Sequence, residues 1–221
     1  MLTPTQLDLL RLDLSGLANI EYDEVMTELL DHYASLTERK MALNMSFDDA
    51  SKWAWAELGS GEGLQQIQTD YEKSIMKQVR VRHFEILKSY FRWPAFVTTA
   101  LLGTLMYFTA PFISANGMFT VFFVCGLSPL AVLFYGHRKH LDQQTDKRKI
   151  VWTYLRESGS FIFNLFYVFG INGLDSLFEE KSKIWLFQVH STIGLVLCMV
   201  VLLYAVSFIQ LFKENFSLKL A

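Results

Sequence analysis

Hydrophobic and polar positions divide this chain into a polar N-terminal region and a body dominated by uncharged stretches. No Asp, Glu, Lys or Arg lies between Arg92 and Arg138, and none lies between Lys183 and Lys213. The first stretch is long enough for two membrane crossings folded back at Ser114-Ala115-Asn116-Gly117. The second, Ile184 to Phe212, exceeds the roughly 20 apolar residues that a bilayer core requires. A third apolar stretch, Ser158–Phe178, is interrupted only by Asp175 near its end. The pattern predicts four transmembrane helices, at 93–113, 117–136, 158–178 and 184–212. A basic loop at 137–157 joins the second to the third, and a short tail, 213–221, follows the fourth.

The polar region, 1–78, reads as a set of short helices. Thr3-Pro4-Thr5-Gln6 combines an N-cap, a proline at the first helical position and a capping-box glutamine. Leu7, Leu10, Leu14 and Leu17 then recur at helical spacing, with Gly16 and Asn19 ending the segment. A second helix is expected from about Tyr22 to Leu43, burying Val25, Leu29, Tyr33 and Leu36. Ser46 caps a third, whose apolar face is Phe47, Ala50, Trp53, Ala54 and Leu58 and which Gly59 stops. A fourth begins near Glu62 and buries Leu64, Ile67, Tyr71 and Ile75. No helix breaker intervenes before Trp93, so it is expected to continue through a juxtamembrane segment, 79–92, towards the first span. The fold class is therefore all-α, a small helical domain followed by a four-helix transmembrane bundle.

Charge sharpens this division. Residues 1–78 hold 6 Lys and Arg against 14 Asp and Glu, a net of −8, whereas 79–221 hold 14 against 8, a net of +6. An acidic head argues against nucleic-acid binding, which needs a cationic face. Twelve Lys and Arg flank the spans on the side of the head, the 137–157 loop and the tail, and only Lys181 and Lys183 lie on the other. The positive-inside rule then places both termini in the cytoplasm. Met1-Leu2-Thr3-Pro4 lacks the basic and apolar regions of a secretory signal. Cys125 and Cys198 fall inside apolar spans and read as packing residues.

Candidate chemistry is sparse. Glu28 and His32, at i and i+4 with Asp31 between them, form a candidate partner-binding face. A zinc site would need a third or fourth converging ligand, so no metal is expected there. No nucleophile elbow, metalloprotease helix or P-loop is present, and neither an enzyme nor a cofactor is expected. Within the spans His190 and Gln188, with Asn164 and Asn172 of the third span, form a candidate intramembrane polar site. An ionisable group in the bilayer is costly and marks function by default. The alternative is a neutral histidine hydrogen-bonded between helices. Ala95, Thr99 and Gly103 repeat every fourth residue, the small-residue pattern of close helix contact, and Pro129 frees a carbonyl that a neighbour must satisfy.

The segments Glu28-Leu29-Leu30-Asp31-His32, Ser46-Phe47-Asp48-Asp49-Ala50, Glu57-Leu58-Gly59 and Leu64-Gln65-Gln66-Ile67-Gln68-Thr69-Asp70-Tyr71 together resemble the HAAS, or permease-prefix, type of helical domain. The resemblance covers about residues 5–75. It implies a cytoplasmic regulatory or docking module on a bacterial inner-membrane protein, and it carries over no catalytic residue. Two function classes stay open: a membrane-anchored signalling or regulatory adaptor, and a small transporter or transporter subunit. The partners expected are the lipid bilayer and a cytoplasmic or membrane protein, with a homo-oligomer open.

Overall fold

The computed structural model describes residues 1–140, 145–167 and 191–216. Among the described residues the chain is all-helical, with eight α-helices and no strand. They are α1 (Pro4–Gly16), α2 (Asp23–Met41), α3 (Phe47–Glu57), α4 (Ser60–Ser89), α5 (Ala95–Thr109), α6 (Ala115–His140), α7 (Asp146–Tyr167) and α8 (Ser191–Phe216), and a 3-10 turn, Ala110–Phe112, follows α5. They form two compact units, Met1–Lys77 and Gln78–Ala221, and the boundary falls within α4.

In the first unit local signals set the helix ends. The Gln6 N–H donates to Thr3 Oγ1 at 3.3 Å, and the Thr3 N–H donates to Gln6 Oε1 at 2.9 Å, so the capping box is complete. The Asp49 N–H donates to Ser46 Oγ at 3.2 Å at the start of α3. Gly59, with φ +86°, takes the left-handed conformation that ends α3, and α4 starts at once at Ser60 rather than at Glu62. Leu10, Leu14, Val25, Leu29, Tyr33, Ala54 and Leu64 form the core. Leu17 was expected beside them but is 67% exposed. α1 stops at Gly16, so helical spacing no longer governs position 17, and Ala18 is buried instead. On α2 Leu36 is half-buried and Thr37 is buried, its hydroxyl donating to the Tyr33 carbonyl at 2.8 Å.

Tyr33 ties three segments together. Its ring is 1% exposed, and its hydroxyl lies 3.2 Å from both Asp13 Oδ2 and the Ser51 carbonyl oxygen. Burial, with the adjacent Asp13 carboxylate, pushes the phenol pKa up. Tyr33→Phe removes the donor and leaves two acceptors with one fewer partner. The expected loss is about 1 kcal/mol, read as a lower urea midpoint with an unchanged slope.

The second unit is built around the C-terminal half of α8. Leu203, Ala205, Ser207, Phe208, Leu211, Phe212 and Phe216 are all buried there, and α6 and α7 pack on this helix. The Gly136 backbone meets the Phe212 ring, Gly159 lies against Phe208, and Trp152 lies edge-on to Phe212 and Phe216. Residues 137–157, expected as a basic loop, instead hold the end of α6 and the first half of α7. Ile150, Val151, Tyr154 and Leu155 recur on one face and are buried, whereas Lys147, Lys149 and Arg156 are exposed. The charges of this loop therefore lie on the outer side of a helix.

Among the described residues two helices are long and apolar enough to cross a membrane: Ala95–Phe112, of mean hydropathy 1.4, and Gly194–Phe216, of mean hydropathy 2.6. Thr120–Gly136 is a shorter apolar segment of α6. Gly194–Phe216 corresponds to the expected span 184–212, whose first residues lie outside the described ones, and the expected span 158–178 extends beyond them as well. In α6, Pro129 cannot donate to the Cys125 carbonyl, and the Ser128 hydroxyl donates to it at 2.8 Å instead. Gly103 of α5 approaches Met199 of α8, which accounts for one member of the small-residue stripe.

Candidate functional site

A cleft of about 300 Å³ opens in the first unit between α2, the end of α3 and the first half of α4. Val25, Leu29, Leu58, Ile67 and Tyr71 make an apolar lining, and Glu28 and His32 stand at its edge. The i, i+4 spacing of α2 places these two polar side chains side by side above Val25 and Leu29. Asp31, the third expected member, is exposed and does not line the cleft. Ile67, expected in the core, is 44% exposed and forms part of this wall. The Tyr71 hydroxyl donates to Glu24, which fixes the Tyr71 ring at the cleft from the α2 side. An apolar floor with an acidic edge suits a partner that presents an apolar side chain beside a basic one.

The expected intramembrane polar site falls on residues whose side chains are not described. Gln188, His190 and Asn172 lie outside the described residues, as does the side chain of Asn164, whose backbone belongs to α7. The buried histidine among the described residues is His83, in the second half of α4 and 6% exposed. Its Nδ1 lies 3.0 Å from the Tyr154 hydroxyl of α7, and its Nε2 lies 3.1 Å from Ser207 Oγ of α8. Tyr204 packs on the ring at 5.3 Å, and Tyr154 and Phe208 meet it nearly edge-on.

The proton positions follow from donor accounting. Ser207 spends its single proton on the Tyr204 carbonyl, at 2.8 Å. It therefore accepts from His83, which must carry the proton on Nε2 and leave Nδ1 to accept from the Tyr154 hydroxyl. All three groups are satisfied with the ring neutral. Burial lowers the His83 pKa below its ordinary 6.5 and holds it in that form.

Further polar contacts run along the same seam. Arg82 clamps Glu214 through two nitrogens, both at 3.0 Å, and Gln210 donates to Glu214 at 3.3 Å. The Tyr90 hydroxyl donates to Gln210 Oε1 at 3.0 Å, and the Thr99 hydroxyl of α5 donates to the Tyr90 carbonyl at 2.9 Å. The second half of α4, the start of α5, α7 and α8 are thus joined by directional bonds as well as packing. His83 is not among the residues of the expected polar site, which belong to the third and fourth spans. The signal was present in Val79, His83 and Ile86, which recur at helical spacing and are all buried. Comparison with models of known protein families, with curated proteins and with solved structures finds no match for this chain.

Proposed function

We propose that this chain is a membrane-anchored regulatory or signalling adaptor of a bacterial inner membrane, with four crossings and both termini cytoplasmic. Its acidic head docks a cytoplasmic or membrane protein, and its second unit holds that head at the bilayer. The observation that carries the docking role is the acidic-edged apolar cleft at Glu28, His32 and Ile67. The resemblance of residues 5–75 to permease-prefix domains supports the same role. The membrane placement is supported by α5, where Leu101, Leu105 and Phe108 are each more than 60% exposed on a helix without a charge. Water disfavours such a surface and hydrocarbon accepts it. The crossing at 158–178 rests on hydropathy, and the orientation rests on the twelve-to-two distribution of Lys and Arg.

The test is capture by the full-length chain in detergent, compared with Ile67→Asp and Glu28→Lys. Both side chains are exposed, so neither change should alter the helical circular dichroism. The expected result is one partner retained by the unmodified chain and lost, by about ten-fold or more, with Ile67→Asp, because an anchor pocket carries much of such binding. Equal capture by all three proteins would overturn the cleft as the docking site.

A further inference from the structure

We propose that the outer face of the second half of α4, together with the turn that follows it, is a binding strip for anionic phospholipid headgroups. The proposal rests on the membrane placement of the second unit and adds a lipid preference that placement alone does not require. At about 100° per residue, Arg80, Val81, Phe84 and Lys88 share one side of α4, opposite Val79, His83 and Ile86. The second set is buried and the first is exposed, with Val81 at 51% and Phe84 at 65%. Phe91, Arg92 and Trp93 extend the exposed set, and α5 starts at Ala95.

Charge selects the occupant. Arg80, Lys88 and Arg92 have no ion-pair partner among the described residues. The only acid from Gln78 to Pro94 is Glu85, which is paired with Arg82 at 3.4 Å. The strip therefore presents unopposed positive charge among large apolar side chains. It directly precedes an apolar, largely unburied helix, so the surface closest to it is the leaflet that α5 enters. Lys and Arg can lay their methylene stems on Phe84 and Phe91 while their charged ends meet phosphate. Interfacial aromatic residues sit at headgroup depth, and basic residues beside a span bind anionic lipid by about five-fold each. An acidic protein or a nucleic acid would also answer to the charge but would leave the apolar members uncovered.

The experiment uses the full-length chain with Cys125→Ala and Cys198→Ala, a nitroxide at Val81→Cys, and nanodiscs of phosphatidylcholine alone or mixed with phosphatidylglycerol. Accessibility to oxygen and to a water-soluble nickel chelate reports the depth of the label. The expected result is a shift from water to headgroup depth when phosphatidylglycerol is added, reversed by high salt. Combined Arg80→Gln, Lys88→Gln and Arg92→Gln should weaken the association by about 100-fold and so abolish the shift at the same phosphatidylglycerol content. A label that stays in water in both lipids, or a shift that survives the triple change, would overturn the proposal. Incorporation into phosphatidylcholine discs is read separately by alkaline carbonate resistance. Its loss would overturn the membrane placement itself.

Discussion

Replacing His83 by alanine is expected to lower the stability of the second unit by about 2–4 kcal/mol. The ring is almost wholly buried between α4, α7 and α8, and its loss leaves a cavity walled by Tyr154, Tyr204 and Phe208. It also leaves the Tyr154 hydroxyl without its acceptor and the Ser207 oxygen without its donor. Thermal unfolding in detergent, followed by circular dichroism, reads the effect. His83→Gln should be milder, since its amide N–H can reach towards Ser207. The pH dependence separates the two roles of the ring. Because burial lowers the His83 pKa, the unfolded chain binds more protons than the folded one just below pH 6.5. Stability is then fully present above that pH and falls as the solution is acidified through it. His83→Gln should remove that part of the pH dependence, and an unchanged acid sensitivity would show that other groups cause it.

Gly136→Leu is expected to prevent the second unit from packing as it does. A β-carbon at position 136 would lie 2.7 Å from two Phe212 ring atoms and 3.0 Å from the Trp152 ring. The Phe212 ring cannot give way easily, because it is fully buried and stacked on Phe216 at 5.0 Å. Even Gly136→Ala should cost about 1–3 kcal/mol, and leucine more. Size-exclusion chromatography of the detergent-solubilised protein should show aggregation for leucine and a lower unfolding temperature for alanine. Gly103→Ala makes a useful contrast, since its β-carbon would meet Met199 at an ordinary 3.9 Å and should be tolerated. Similar losses at the two glycines would argue against a close approach of α6 to α8 at Gly136.

These two positions also show where sequence reading reached and where it stopped. The caps at Thr3 and Ser46, the stop at Gly59 and the core residues Leu10, Leu14, Val25 and Leu29 were all legible, because each depends on residues within one or two helical turns. The carbonyl freed by Pro129 is legible too, whereas the group that reaches it, the Ser128 hydroxyl, is decided by the side chain's rotamer in the folded helix. Glu28 and His32 were singled out from spacing alone, and they do share an edge of one cleft. What spacing could not supply was the wall across from them, which comes from Leu58, Ile67 and Tyr71 on other helices. Within the 137–157 loop, charge alone does not reveal the start of α7, which follows from its apolar period. Ile150, Val151, Tyr154 and Leu155 bury one face of α7 while the bases face out.

By itself the sequence determined that the chain is helical, that an acidic head precedes a basic-flanked apolar body, and where most helices in the head begin and end. Those properties are local or additive: a cap needs three residues, an apolar stretch needs only composition, and net charge is a count. The tertiary structure alone decided that His83 is the buried histidine joining three helices, that Gly136 is where an aromatic ring meets backbone, and that Ile67 lines a cleft. Each of these depends on which side chains arrive from distant segments, such as Tyr154 and Ser207 around His83. Burial and hydrogen-bond satisfaction are properties of the assembled neighbours, and no single helix carries them.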